Sequence, residues 1–260
     1  LVAYVEPGSG DLWVLGPTKV AHFNRIVLAE LLEMDLERVH FIEPAVGGGF
    51  GVRGEFYPED YLVPYASRLL GARVAWQEDR AEHLVATNHS REQVHDAQLA
   101  IDVEGRITGL SVRGCNSMGG YIRSHGATVP TMTAIMFPGP YAIENYSCHI
   151  DCVMENKTPT GTYRGPGRYE SNFVRERLID MAARALAIDP ADIRRRNFIS
   201  ADQMPYDFGI DVRMGELHVH QTYDSGNYVR QLDETLAAAD YEGLRTRRDQ
   251  LRSEGRCAGL

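Results

Sequence analysis

The sequence predicts an α+β fold, a mixed β-sheet with helices packed on it, and three stretches carry that reading. Residues 1–14 alternate apolar and polar side chains around Pro7-Gly8-Ser9-Gly10, the mark of a hairpin. Residues 73–76, 92–103, 107–115 and 146–154 have strand character, with Val103-Glu104-Gly105-Arg106 as a turn between two of them. Residues 171–186 form the strongest helical pattern, with Phe173, Val174, Leu178, Met181, Ala182 and Leu186 along one face and Arg175, Glu176 and Arg184 on the other. Such a helix must bury its apolar stripe, and the sheet is the surface available to it.

The remaining elements follow in order. Val20, Phe23, Val27, Leu28 and Leu31 recur at three- and four-residue steps, so a helix covers 20–32, and Val39-His40-Phe41-Ile42 then reads as a short strand. A second helix over 59–70 has Leu62, Ala66, Leu69 and Leu70 on one side and Gly71 as its stop. Asp189 and Pro190 are placed as N-cap and first helical residue of a short helix through Asn197. The run Arg194-Arg195-Arg196 stands in an acidic chain, where a salt-bridged helix end is the natural reading. Periodicity loosens over 200–222, with residues 204–209 reading as a loop, so residues 1–210 are assigned to a first domain and 211–260 to the start of a second. Helices over 229–239 and 241–253 complete the pattern.

Composition narrows the function. Lys and Arg total 27 against 36 Asp and Glu, a net charge of -9, which opposes nucleic-acid binding. No apolar run approaches the roughly 20 residues of a membrane span, and no targeting segment opens the chain, so the expected location is cytoplasmic. Cys115, Cys148, Cys152 and Cys257 are too few and too scattered for a disulfide framework, and His149 between two of them points to the opposite strand face. Free thiols are expected, and no metal site of side chains. His83, His89, His95 and His125 lack the helical spacing with a carboxylate that a metal site needs, and Arg123-Ser124-His125-Gly126 reads as a loop, at the surface or facing a substrate. The chain opens inside an alternating segment without Met and stops in a glycine-punctuated one, so a fragment of a longer polypeptide is expected.

Two glycine-rich loops remain. Gly47-Gly48-Gly49-Phe50-Gly51 follows a strand, and its backbone can aim several N–H groups at one acceptor. It lacks the spacing of a phosphate loop or a dinucleotide fingerprint, which leaves a structural crossover or a cofactor loop. The second constellation, Thr162-Tyr163-Arg164-Gly165-Pro166-Gly167-Arg168, runs into the strong helix, and a glycine loop feeding a helix N-terminus favours an anion. Two such loops in one chain suggest one large, multiply charged ligand.

At these loops the sequence resembles the molybdenum-cofactor subunit of the xanthine dehydrogenase, aldehyde oxidase and aerobic carbon-monoxide dehydrogenase family. Asp189 to Asn197, which reads Asp-Pro-x-x-Ile-Arg-x-x-Asn, and Tyr223-Asp224-Ser225-Gly226-Asn227-Tyr228 extend the resemblance over essentially the whole chain. It implies a molybdopterin-binding domain of the molybdenum hydroxylase type, with a molybdenum–molybdopterin cofactor in its simple or cytosine-dinucleotide form. It also implies hydroxylation of an aldehyde or N-heterocycle with water as oxygen source, and electron transfer to iron–sulfur and flavin (FAD) partner subunits or domains. Carried over residue by residue, Gly48, Gly49, Phe50, Gly51, Arg164, Gly165 and Gly167 are the cofactor-contact candidates.

The departures are as informative. Lys19 stands where the family commonly places a Gln near the metal's apical oxo group, so a cation either alters that group's electrostatics or points away. Gly165 replaces the cysteine of copper-containing carbon-monoxide dehydrogenases, and Pro166 an aromatic residue of the purine hydroxylases. Their purine-binding glutamate is matched by Gly54, with Glu55 adjacent. The family's catalytic base, a glutamate, is expected beyond Leu260, so no catalytic residue is assigned within the chain and the fragment alone is expected to be inactive. The competing reading is a non-catalytic binding or assembly module that keeps the scaffold.

Overall fold

The structure is a computed structural model that describes residues 1–214 and 217–260. The chain divides into two compact units that interleave along the sequence. One comprises Leu1–Asp96, Arg113–Met136 and His149–Ser171, the other Ala97–Val112, Phe137–Cys148 and Asn172–Leu260.

The first unit is built on strands β1 (Val2–Val5), β2 (Leu12–Leu15), β3 (Val39–Ile42) and β4 (Val74–Ala75), in the order β3-β2-β1-β4. The expected hairpin is present: β1 and β2 pair antiparallel, Val2 opposite Leu15 and Val5 opposite Leu12. β3 lies parallel to β2, a pairing that needs a crossover, and helix α1 (Ala21–Leu31) supplies it. Ala3, Leu12, Val14, Leu28 and Val39 are fully buried between helix and sheet.

Helix α2 (Pro58–Leu70) begins with Pro58 and stops at Gly71, whose φ of 61° is the left-handed conformation expected of a glycine stop. Its buried face is Asp60, Val63, Pro64 and Ser67, whereas Leu62, Leu69 and Leu70 are exposed. The apolar side legible in the sequence is therefore not the side that packs on the sheet. Helices α3 (Arg80–Ala86) and α4 (Thr128–Met136) were not expected; both are short, and α4 is apolar without a clear polar face.

Strands β5 (Gln93–Ile101), β6 (Ile107–Ser117) and β7 (Tyr146–Val153) form a three-stranded sheet in that order. Helix α5 (Arg168–Leu186) starts three residues earlier than its apolar pattern. In the second unit its residues Ile179 and Ala183 pack with Ile107, Leu110 and Val112 of β6 and with Phe137 and Tyr141. Phe173 and Met181, expected on the buried face, are exposed, and Arg175 is buried instead.

Helix α6 (Pro190–Asn197) is capped as expected, with the Asp189 carboxylate accepting from the Ala191 amide at 2.8 Å. Arg194 pairs with Glu176 and Asp180, and Arg195 with Asp192 and Asp233, so the arginine run is a salt-bridged helix end. The expected loop at 204–209 is a correction. Residues 206–209 belong to β8 (Tyr206–Met214), which pairs antiparallel with β9 (Leu217–Tyr223) on both sides of an irregularity between Asp207 and Asp211. That irregularity, together with Gly209 at φ 63°, breaks the alternation by which a strand is recognised. Residue 210, the expected boundary, lies within β8. Helices α7 (Tyr228–Ala238) and α8 (Tyr241–Ser253) end the chain. Among the described residues, no helix is long and apolar enough to cross a membrane.

Candidate functional site

The site lies in the first unit, where the two glycine loops meet across more than a hundred residues of sequence. The Arg164 amide donates to Phe50 O at 2.6 Å, and the Thr162 hydroxyl donates to Gly51 O at 2.9 Å. A Cβ on Gly51 would stand 3.1 Å from Thr162 O and 3.3 Å from Arg164 N, so glycine permits the approach. The φ of 92° at Gly51 excludes ordinary residues for a second reason.

A buried polar core beneath the junction holds this arrangement. Asn88, nearly fully buried, donates to Thr162 O at 2.8 Å and accepts from the Tyr57 hydroxyl, which also reaches Val52 O. Burial pushes the Tyr57 phenol well above its ordinary range, so it stays a neutral donor. Glu55, with a fully buried carboxylate, accepts from the amides of Thr162 (3.4 Å) and His125 (3.0 Å). The glutamate beside the purine-binding position is thus turned inward as a strut. The expected surface loop at 123–126 is likewise corrected at Arg123, which is 7% exposed, lies over the Tyr57 ring at 4.4 Å and donates to Ala86 O.

Lys19 joins the same place. Its amide donates to Arg53 O at 2.9 Å, and its stem runs past Gly54, with Cδ 3.5 Å from where a Cβ on that glycine would be. Thr18, buried and held by Asn24 and Glu43, fixes the preceding turn, so Lys19 is presented at the surface.

The glycines of the two loops divide into two kinds. Gly48, Gly165 and Gly167 have φ of 133°, 73° and 73°, and a Cβ on Gly167 would meet the α4 backbone at 2.3 Å. These are needed by the chain itself. Gly47 and Gly49 are not: neither has positive φ, Gly47 has open space around it and Gly49 would make only ordinary contact with Arg53. Among the described residues, the amides of Gly47 through Gly51 donate no hydrogen bond. A stretch of free N–H groups, open at Gly47, suits a ligand rich in acceptor atoms that approaches the backbone closely. The Arg164 guanidinium, exposed and 5.9 Å from the Phe50 ring centre, has no carboxylate partner among the described residues. A cleft of about 990 Å³ adjoins this edge, lined by Gly48, Gly49, Phe50, Glu78, His83 and Tyr163 among others. Glu78, its side chain 7% exposed, ties Arg53, just after the glycine loop, to His83 at 3.3 and 2.7 Å.

Both loops are legible in the sequence, but Tyr57 and Asn88, which hold them, carry no local motif. A buried polar residue is recognisable in a sequence only when a nearby pattern says it is buried, and none does here.

Comparison with known proteins places the chain in a family. The family model for the molybdopterin cofactor-binding domain matches residues 1–198. The 6-hydroxypseudooxynicotine dehydrogenase complex subunit gamma of Paenarthrobacter nicotinovorans is 37% identical over 100% of this chain and 32% of its own length. The carbon monoxide dehydrogenase large chain of Hydrogenophaga pseudoflava is 32% identical over 97% of this chain and 31% of its own. Among solved structures, quinoline 2-oxidoreductase from Pseudomonas putida 86 superposes with a TM-score of 0.86 at 32% identity, covering 98% of this chain and 31% of that one. The chain thus spans about a third of the length of the relatives it matches. With the family model matched over residues 1–198 and relatives aligned along essentially its whole length, the chain belongs to the molybdopterin cofactor-binding domain family of the molybdenum hydroxylases.

Proposed function

We propose that the protein carrying this sequence hydroxylates a small N-heterocycle or aldehyde, with water as the oxygen source and electrons passing to iron–sulfur and flavin partners. The observation that carries the cofactor role is the edge formed by Gly47 and Gly49, bare of side chains and with free amides although the fold does not require glycine there. When bound, the molybdopterin cofactor supplies the two-electron redox chemistry and the oxygen transfer. The residues of this chain hold and orient. The amides of Gly48, Gly49 and Phe50 donate to its acceptor atoms, and the cations of Arg164 and Lys19 balance its negative charge. Gly51, Gly165 and Gly167 keep the two loops at the spacing that lets both reach one ligand. In this reading residues 1–210 form the first cofactor-binding domain and 211–260 open the second. An N-heterocycle has support in the relatives, whose names include a nicotine 6-hydroxylase large subunit and a quinoline oxidoreductase. Carbon monoxide is disfavoured by Gly165 in the cysteine position.

Gly49→Ala tests the reading in the native protein. The added methyl fits the chain, with nothing nearer than Arg53 Cβ at 3.5 Å, so folding should be unchanged. Molybdenum and pterin content per polypeptide should fall severalfold. Unaltered content would show that the edge of the loop does not face the cofactor, and a native protein without molybdenum would leave only the assembly-module reading.

A further inference from the structure

Arg91 lies outside both loops, yet the second loop is built around it. Its Nη2 donates to Tyr163 O at 3.2 Å and to Arg164 O at 2.6 Å, while Nη1 donates to Gly165 O at 3.4 Å. Three consecutive carbonyls turned towards one cation is not the arrangement of an extended chain, whose carbonyls alternate in direction. The positive φ of Gly165 makes the turn possible, and the cation gives it a partner. The guanidinium is also flanked by aromatic rings, Tyr169 at 4.3 Å and Tyr163 at 5.6 Å. Glu170, with a side chain 5% exposed, supplies the countercharge at 3.3 Å.

The backbone delivering this side chain is itself constrained. Arg91 has φ 75°, an unfavourable conformation for a residue with a long side chain, and it persists where neighbours over-determine it. Two bonds fix the chain just ahead of it, the His89 amide donating to Pro159 O at 3.0 Å and the Gly161 amide to His89 O at 2.9 Å, and the Gln93 amide donates to Arg91 O at 3.1 Å.

We propose that Arg91 is the positioning residue of the second cofactor loop, curving residues 163–165 so that the Arg164 amide reaches Phe50 and its side chain is left free for the ligand. The inference rests on the cofactor reading above for its consequence, though not for its geometry. Among the arginines of this region the roles divide: Arg91 is engaged by the chain, and Arg164 is not. Lysine cannot replace Arg91, because an ammonium offers neither a planar fork to three carbonyls nor a face to two rings.

The test uses the native protein with Arg91→Ala and Arg91→Lys, reading molybdenum and pterin per polypeptide and hydrogen exchange of the Arg164 amide. In Arg91→Ala, cofactor content should fall about tenfold, and the Arg164 amide should exchange at least tenfold faster while the β1 and β2 amides stay as in wild type. Arg91→Lys should lose nearly as much, and added guanidinium, which can enter beside a side chain 32% exposed, should restore content in Arg91→Ala where ammonium does not. Wild-type content in either variant, or faster exchange spread equally through β1 and β2, would overturn the proposal. If Arg91→Ala does not accumulate, Arg91→Lys decides it on the same two readouts. A wild-type protein without molybdenum would defeat the cofactor reading alone, since exchange at Arg164 still reports whether Arg91 shapes the loop.

Discussion

Replacing Gly51 by alanine should loosen the loop junction, and the structure gives the size of the effect in two parts. The first is backbone strain: at φ 92°, ψ -35° a residue with a Cβ sits outside the left-handed well, at a cost of about 1–3 kcal/mol. The second is the junction itself, because the methyl would stand 3.1 to 3.3 Å from Thr162 O, Thr162 C and Arg164 N. Moving them apart by a few tenths of an ångström weakens the Arg164–Phe50 and Thr162–Gly51 hydrogen bonds, each worth about 0.5–1.5 kcal/mol. Gly8→Ala separates the two parts, since Gly8 has φ 110° and nothing within 4 Å of a built Cβ. Native-state hydrogen exchange at the Arg164 amide reads the junction directly. Gly51→Ala should lower its opening free energy by about 1–3 kcal/mol, which is about five- to 150-fold in exchange rate, and Gly8→Ala should leave it unchanged. Equal protection in both variants would refute the idea that the loops are held by this close approach.

Three further outcomes are expected. Burial pushes the Asp60 carboxyl up to about 7, so between its unfolded value and pH 7 the folded chain keeps a proton that the unfolded chain has released. Stability should therefore fall by about 4 kcal/mol as pH rises through that window, at about 1.4 kcal/mol per unit, and Asp60→Asn, which can still accept from the Tyr57 amide, should remove the slope in unfolding measured at pH 5 and pH 8. Asp189→Ala removes the cap of α6 and an acceptor of the Tyr241 hydroxyl, and should cost about 2 kcal/mol in unfolding free energy. On the β8–β9 hairpin, Asp211 and Asp207 raise the His220 pKa, so its ring should titrate by NMR above the ordinary histidine value and move back down in Asp211→Asn.

The elements that could be read correctly from the sequence share one property: each is set by neighbours within a few residues. The Pro7-Gly8-Ser9-Gly10 turn, the Gly71 stop and the Asp189-Pro190 cap are local events, and they appear where expected. Facing is less local. Leu62, Leu69 and Phe173 look like core by periodicity and are exposed, because which side of a helix packs is decided by what lies against it. The β8 strand was hidden for the opposite reason, since an irregularity in its ladder erases the alternation.

The candidate site divides in the same way. The glycines, Arg164 and Lys19 are legible because close backbone approach and charge require particular residue types at particular spacings. Nothing local says that Gly51 and Thr162, 111 residues apart, share a hydrogen bond, or that Asn88, Tyr57 and Arg91 hold the junction. The sequence by itself determined the family, the two loops and the residue types available to a cofactor. Tertiary structure alone decided that the loops form one edge, which glycines the chain needs for its own packing, and which arginine is left free, since long-range hydrogen bonding is a property of the closed chain and not of any segment of it.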